Sequence, residues 1–133
     1  MGYNLLIIDD SAVTRKVVRR VIAMTGLELN EVFEAQDGIE ALTILHEHWV
    51  DLVFVDLNMP RMSGSELVAQ MAEENLLDSI PVIVITSDRN QPRLDELKRC
   101  GVRAYLNKPF RPEELRDVMA QVFANPTGGD NGS

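Results

Sequence analysis

Strand-like and helix-like segments alternate five times along the chain. The strand-like ones cover residues 4–8, 31–35, 52–55, 81–85 and 104–107. Three of them are almost continuously apolar, the pattern of strands covered on both faces in a parallel sheet. Between them the apolar spacing becomes helical. The first helical stretch sets Val13, Val17, Val18, Val21 and Ile22 on one side and Arg15, Lys16, Arg19 and Arg20 outward, with Ser11 placed to cap it. Asp37-Gly38-Ile39-Glu40 opens the second with an Asp cap, and Ser63-Gly64-Ser65-Glu66 is a capping-box pattern for the third. Pro92 falls in the first turn of the fourth. Pro112 begins the fifth, where Leu115, Val118, Met119, Val122 and Phe123 recur at helical spacing. The fourth stands apart. From 91 to 99 only Leu94 and Leu97 are strongly apolar, so this helix should bury little surface and hold on weakly. Alternating units of this kind predict an α/β fold with right-handed crossovers and an open, doubly wound sheet.

Composition narrows the picture. A length of 133 residues suits one domain, expected over residues 1–124, and the polar, Gly-rich stretch 125–133 is expected to be a disordered tail or a linker. A DNA-binding output domain beyond residue 133 is left open. No apolar stretch approaches the roughly 20 residues of a membrane span. The start has neither a basic leader nor a small-residue cleavage site, and Leu6 stands where a myristoylation motif needs Ser or Thr. A cytoplasmic monomer is the expectation. Thirteen basic against twenty-one acidic side chains leave a net charge of −8, which disfavours adhesion to nucleic acid or anionic lipid. A single cysteine, Cys100, excludes an internal disulfide and a thiolate-cluster metal site, and it is expected to be buried and inert.

The chemistry gathers where the strands end. In open α/β sheets, ligands bind beyond the carboxyl ends of the strands. The first strand-like segment ends on Asp9-Asp10, the third on Asp56, the fourth on Thr86-Ser87 and the fifth on Lys108-Pro109. Two carboxylates about 5 Å apart repel by about 3 kcal/mol at an effective dielectric of about 20. A hard cation resolves that repulsion, and Mg²⁺ suits a small set of oxygen ligands, with Mn²⁺ able to take its place. Together with the Lys108 ammonium it could neutralise a transferring phosphoryl group, with Asp56 as the nucleophile.

Five elements in this order and spacing resemble the receiver domain of two-component response regulators, and among these the single-domain, chemotaxis-regulator type. They are Asp9-Asp10-Ser11, Ala35-Gln36-Asp37-Gly38, Asp56-Leu57-Asn58-Met59-Pro60-Arg61-Met62-Ser63-Gly64, Thr86-Ser87 and Lys108-Pro109-Phe110, and the likeness runs from Leu5 to about Phe123. The resemblance implies a (βα)5 flavodoxin-like fold with a parallel sheet of strand order 2-1-3-4-5. It also implies a phosphorylation-activated switch in a two-component or phosphorelay system, one that catalyses its own phosphoryl transfer and dephosphorylation without being a conventional enzyme.

The same resemblance assigns roles. Asp56 would accept the phosphoryl group from a histidine of a sensor kinase or a phosphotransfer protein. Asp10, Asp56 and the main-chain carbonyl of Asn58 would ligate Mg²⁺, with Asp9 acting mainly through a bound water. Lys108 would pair with a phosphoryl oxygen, and Lys108-Pro109 resembles the family's cis peptide. The Thr86 hydroxyl would swing to the phosphoryl group and Tyr105 would follow. That shift would remodel the surface of the fourth helix, fifth strand and fifth helix, which a downstream protein of unknown identity would read. Asn58 and Asp88 are expected to face the hydrolytic water and tune dephosphorylation.

Two other readings compete. A haloacid-dehalogenase-like phosphatase also uses an Asp nucleophile, but it needs a second acid where Asn58 stands, and its nucleophile does not lie on a third strand. A phosphorylation-independent pseudo-receiver would keep the fold and signal by contact alone. Elsewhere the plain readings prevail. The basic side of the first helix reads as a solvated face, or else as a docking surface for an acidic phosphodonor partner. His46 and His48 are two apart and so form no zinc pair. Met59, Met62 and Met71 read as core or loop packing, and Trp49 as packing at a helix end.

Overall fold

A computed structural model of the protein describes residues 2–124; the expected tail at 125–133 lies outside the described residues. Five strands, β1 (Tyr3–Ile8), β2 (Leu29–Ala35), β3 (Leu52–Val55), β4 (Val82–Thr86) and β5 (Ala104–Asn107), alternate with five helices. The helices are α1 (Ala12–Met24), α2 (Gly38–Glu47), α3 (Gly64–Glu73), α4 (Gln91–Cys100) and α5 (Pro112–Ala124). A short 3-10 turn, Leu76–Asp78, lies between α3 and β4. All neighbouring strands are parallel and the order is β2-β1-β3-β4-β5, the flavodoxin-like arrangement that the sequence resemblance implies. The order reverses between β1 and β3, and ligands bind at such a switch point.

Period-two alternation splits the core in two. Leu6, Ile8, Val53, Val55, Val82 and Val84 face α2, α3 and α4. Leu5, Ile7, Leu52, Phe54, Ile83 and Ile85 face α1 and α5. Both faces of the central strands are therefore apolar. Each fully buried side chain contributes roughly 1.5–3 kcal/mol of transfer free energy. The helix starts follow the expected chemistry: Ser11, Asp37 and Asn90 cap α1, α2 and α4, and Ser63 with Glu66 forms a full capping box on α3. Among the ten residues of α4 only Leu94 and Leu97 are buried, which matches its sparse apolar pattern.

Four expectations need correction. In α1 only Val18, Val21 and Ile22 reach the core, while Val13 is 72% exposed and Val17 46%. At 100° per residue the five apolar residues span about half the helix circumference, wider than the strip that touches the sheet. The basic side is not wholly solvated either, because Arg15 and Arg19 pair with Glu34 of edge strand β2 at 2.8 and 2.9 Å. Cys100 is exposed rather than buried, since it lies off the Leu94–Leu97 line at the rim of α4. Trp49 stands 70% exposed at the amino end of the sheet, its ring N–H donating to Asp51 Oδ1 at 2.8 Å. The ring that packs beside the end of α2 is that of His48, 4.6 Å from Phe33. His46 pairs with Glu74 at 2.7 Å, so the two histidines do separate jobs. Met71 is fully buried, and Met59 and Met62 pack against the same core.

Candidate functional site

Register brings the acids together. Ile8 of β1 lies opposite Val55 of β3, so both strands leave the sheet at the same level, with Asp9 and Asp56 as neighbours. The Asp9 N–H donates to the Ala35 carbonyl at 3.0 Å and the Asp56 N–H to the Ile8 carbonyl at 2.9 Å. Parallel ladder bonding thus continues through both acids and fixes their backbone. One carboxylate oxygen from each of Asp9, Asp10 and Asp56 lies within 4.8 Å of the other two. Asp9 and Asp56 are buried, at 4% and 7% exposure, while Asp10 is exposed at the mouth.

Lys108, at the end of β5, reaches across to this cluster. Its ammonium lies 3.0 Å from Asp9 Oδ2 and 3.8 Å from Asp56 Oδ1. The other Asp9 oxygen accepts from the Ser11 N–H at 2.9 Å. Burial pushes the Asp56 carboxyl above its ordinary pKa. The Lys108 ammonium pulls it down and Asp9 pushes it back up; the Asn58 N–H lowers it and Asp10 raises it, and the balance stays upward. One ammonium against three carboxylates leaves the site short of positive charge. The clustered donors are all oxygen, which suits a hard divalent cation such as Mg²⁺.

The loop after Asp56 is packed onto it. Gly64 sits so close that a Cβ there would lie 2.2 Å from the Asp56 carbonyl oxygen, and its N–H donates to the Leu57 carbonyl at 2.9 Å. On the other flank, the Gly38 N–H donates to the Met62 carbonyl at 3.0 Å. Arg61, held in the left-handed region at φ 62°, donates from Nε and Nη2 to Asp37 Oδ2 at 2.8 and 2.6 Å. Burial would raise the Asp37 pKa. The Glu40 N–H and the Arg61 guanidinium outweigh it, and the net shift is downward. Asn58 is exposed beside the acids, and no carboxylate stands in its place.

On the β4 side, Thr86 is fully buried and its hydroxyl accepts from the Asp88 N–H at 3.0 Å. Tyr105 is half-buried on β5, where its hydroxyl accepts from Gln91 Nε2 at 3.0 Å and the Lys98 ammonium lies 5.8 Å from the ring centroid. The Lys108–Pro109 peptide is cis. Asp88 is committed elsewhere: its two oxygens accept from the Asn90 N–H at 2.9 Å and from Arg93 Nη1 at 2.8 Å. Its carboxylate therefore turns toward α4. Asp9, Asp10, Asp56 and Lys108 form one cluster, with Thr86 on the adjoining strand and Tyr105 and Asp88 behind it. Arg15 was not expected at the site. It donates from Nη1 to the Asp9 carbonyl and from Nε to Glu34, bracing the acid loop against β2. Its place one turn into a helix that follows Asp9-Asp10 was the available signal.

The chain matches the response regulator receiver domain model over residues 5–120. A chemotaxis protein CheY homolog of Campylobacter jejuni is 30% identical over 126 residues, 94% of this chain and 95% of the relative. The chemotaxis protein CheY1 of Helicobacter pylori (strain J99) is 33% identical over 121 residues, 90% of this chain and 96% of the relative. Among solved structures, the chemotaxis response regulator CheY4 of Vibrio cholerae superposes with a TM-score of 0.80 at 30% identity, covering 92% of this chain and 99% of that one. CheY in a CheX-CheY-BeF3-Mg²⁺ complex from Borrelia burgdorferi gives 0.83 at 26% identity, covering 91% and 89%.

Proposed function

The chain belongs to the response regulator receiver family, a phosphorylation-controlled switch of two-component signalling, and from that premise we propose how its own residues perform the switching. Asp56 is the phosphoacceptor. One of its carboxylate oxygens attacks the phosphorus of a phosphohistidine on a kinase or phosphotransfer partner. The P–N bond breaks, the imidazole leaves with a proton, and an acyl phosphate forms on Asp56. The observation that carries this reading is a buried Asp56 with carboxylate oxygens of Asp9 and Asp10 within 4.8 Å and the Lys108 ammonium 3.8 Å away.

Asp10, Asp56 and the Asn58 carbonyl would hold Mg²⁺, with Asp9 supporting it from behind. The ion supplies positive charge to the phosphoryl oxygens. Lys108 already lies between Asp9 and Asp56, and a phosphoryl group on Asp56 draws its ammonium off Asp9 to a phosphoryl oxygen. The Thr86 hydroxyl accepts from the Asp88 N–H at rest with its own proton free to donate, and a swing of the hydroxyl toward the phosphoryl group carries it away from that N–H. Tyr105 then moves inward, away from Gln91, and the surface of α4, β5 and α5 changes for a downstream protein. Asn58 tunes hydrolysis from beside the acyl phosphate, and Asp88 does so from behind Thr86. We read residues 1–124 as the switch unit, acting as a cytoplasmic monomer. Among the described residues, no helix is long and apolar enough to cross a membrane.

The test is direct. Incubated with Mg²⁺ and acetyl phosphate, the protein should gain one phosphoryl mass by intact-mass spectrometry, stable in acid and lost in base. The Asp56→Asn variant should gain none. A wild-type protein that takes up no phosphoryl group would favour signalling by contact without phosphorylation.

A further inference from the structure

The bond between the Asp88 N–H and the Thr86 hydroxyl belongs to a larger polar assembly. The Asp88 carboxylate, next to that bond, accepts from the N–H of Asn90, the cap of α4, and from Arg93 Nη1. The other terminal nitrogen of Arg93, Nη2, donates to Ser65 Oγ at 2.9 Å, in the first turn of α3. The Arg93 N–H itself donates to the Asn90 side chain at 3.1 Å. One guanidinium therefore joins the β4–α4 turn, α4 and α3. Gln91 Nε2 also donates to the Tyr105 hydroxyl at 3.0 Å and Asn107 Nδ2 to the Asp88 carbonyl at 3.1 Å, so this end of α4 is held by exchangeable polar bonds. Its buried apolar contacts come from Leu94 and Leu97, and an open groove of about 250 Å³ lined by Ser65, Val68, Ala69, Leu97 and Cys100 runs beside Arg93 between the two helices.

We propose that Arg93 is a positioning residue for the Thr86 switch, a latch that holds α4 and the Asp88 turn in the resting arrangement until the Thr86 hydroxyl transfers to the phosphoryl group. The proposal rests on the reading of Asp56 and Thr86 given above. A planar fork can serve a carboxylate and a hydroxyl at once, whereas a lysine can serve only one of them well. The Arg93–Asp88 pair is partly exposed, which limits its strength but also makes it cheap to exchange. A bond made only at rest weakens binding of anything that selects the active arrangement by as much as it favours rest.

The experiment pairs two measurements on the intact chain for Arg93→Met, Arg93→Lys, Ser65→Ala and Asp88→Asn. The first is amide hydrogen exchange of the unphosphorylated protein. The second is affinity for beryllofluoride with Mg²⁺. In Arg93→Met the α4 amides should exchange faster while those of α5 stay unchanged, and beryllofluoride should bind about fivefold tighter. Asp88→Asn should act in the same direction, with Arg93→Lys and Ser65→Ala smaller. Unchanged α4 exchange in both Arg93→Met and Asp88→Asn overturns the latch. Faster exchange with unchanged affinity overturns its coupling to the switch and leaves a merely structural tie. A wild-type protein that binds no beryllofluoride instead overturns the reading of Asp56, and the exchange arm still decides whether Arg93 holds α4.

Discussion

Helices α3 and α4 have the same length, ten residues, and each begins on a side-chain cap, yet they are held in opposite ways. The start of α3 is locked through its backbone. Gly64 lies against the Asp56 peptide with no room for a side chain, its N–H bonds the Leu57 carbonyl, and Leu67, Val68 and Met71 are buried behind it. The start of α4 is held by side chains, namely Asp88, Asn90 and Arg93, above two buried leucines. A close-packed backbone contact has no alternative partner. A partly exposed hydrogen bond nets only about 0.5–1.5 kcal/mol and can be traded for another. The side that carries the acids is thereby held by its backbone, and the side where α4 begins is held by bonds that can be exchanged.

The two glycines that flank this contrast offer its sharpest break. Gly64→Ala should destabilise the protein by about 3 kcal/mol or more and abolish Mg²⁺ binding, because the new Cβ would have to displace the Asp56 carbonyl. Gly101→Ala, at the far end of α4, should cost only about 1 kcal/mol. Its φ of 123° is strained for alanine, but the nearest atoms belong to the movable Leu77 side chain at 3.3 Å. Thermal melts of both variants with and without Mg²⁺ check this, and equal losses would erase the distinction between the two helices.

A smaller effect tests whether side-chain bonds also matter on the side that carries the acids. Asp37→Ala removes the α2 cap and the partner of Arg61, and should cost about 1–2 kcal/mol at neutral pH. The Asp37 pKa is lowered in the fold, so its contribution is present above the ordinary carboxylate range and is lost as pH falls through that range to the lowered value. Denaturant titrations of wild type and variant should therefore draw together as pH falls below the ordinary carboxylate range, about pH 4. A gap that persisted there would mean that the variant lost packing rather than charge.

The smallest expected effect concerns protons at the acids. The raised pKa of Asp56 means that ionising it costs the fold stability, a penalty that sets in as pH rises from the unfolded value through the folded one. Mg²⁺ competes with that proton. Its affinity should fall a few-fold on acidification, beginning above the range of an ordinary aspartate. Lys108→Met removes a charge that lowers the Asp56 pKa, so the onset should move to still higher pH. Calorimetric titration with Mg²⁺ at several pH values measures both, and an unmoved onset would detach Lys108 from the acid cluster.

Much of this contrast is legible in the sequence. Apolar runs ending on Asp9, Asp56 and Thr86 announced the strand ends, and Asp37, Ser63 and Pro92 announced the helix starts, because both signals are local. The weakness of α4 was visible in two leucines. What escaped was placement across distance. Periodicity gives the apolar arc of α1 but not which part of it meets the sheet, so Val13 and Val17 were assigned inward. Cys100 reads as buried and Trp49 as packed at a helix end, yet both side chains stand exposed. Strand β2 begins earlier than its polar residues suggest, at Leu29, because a paired edge strand needs only one apolar face. Arg15 on the Asp9 carbonyl and Arg93 on Asp88 and Ser65 depend on long side chains crossing between elements, which no local pattern encodes.

Trp49 has a practical consequence. It is the chain's one tryptophan, and it stands in solvent at the amino end of the sheet, tethered to Asp51, while the acids occupy the opposite pole. Its fluorescence should therefore be insensitive to chemistry at Asp56. The residue beside the acceptor is a buried leucine, Leu57, which emits nothing. Indole emission of the native protein should thus stay steady if Asp56 takes up a phosphoryl group, and following that step by fluorescence needs a tryptophan placed nearer the acids.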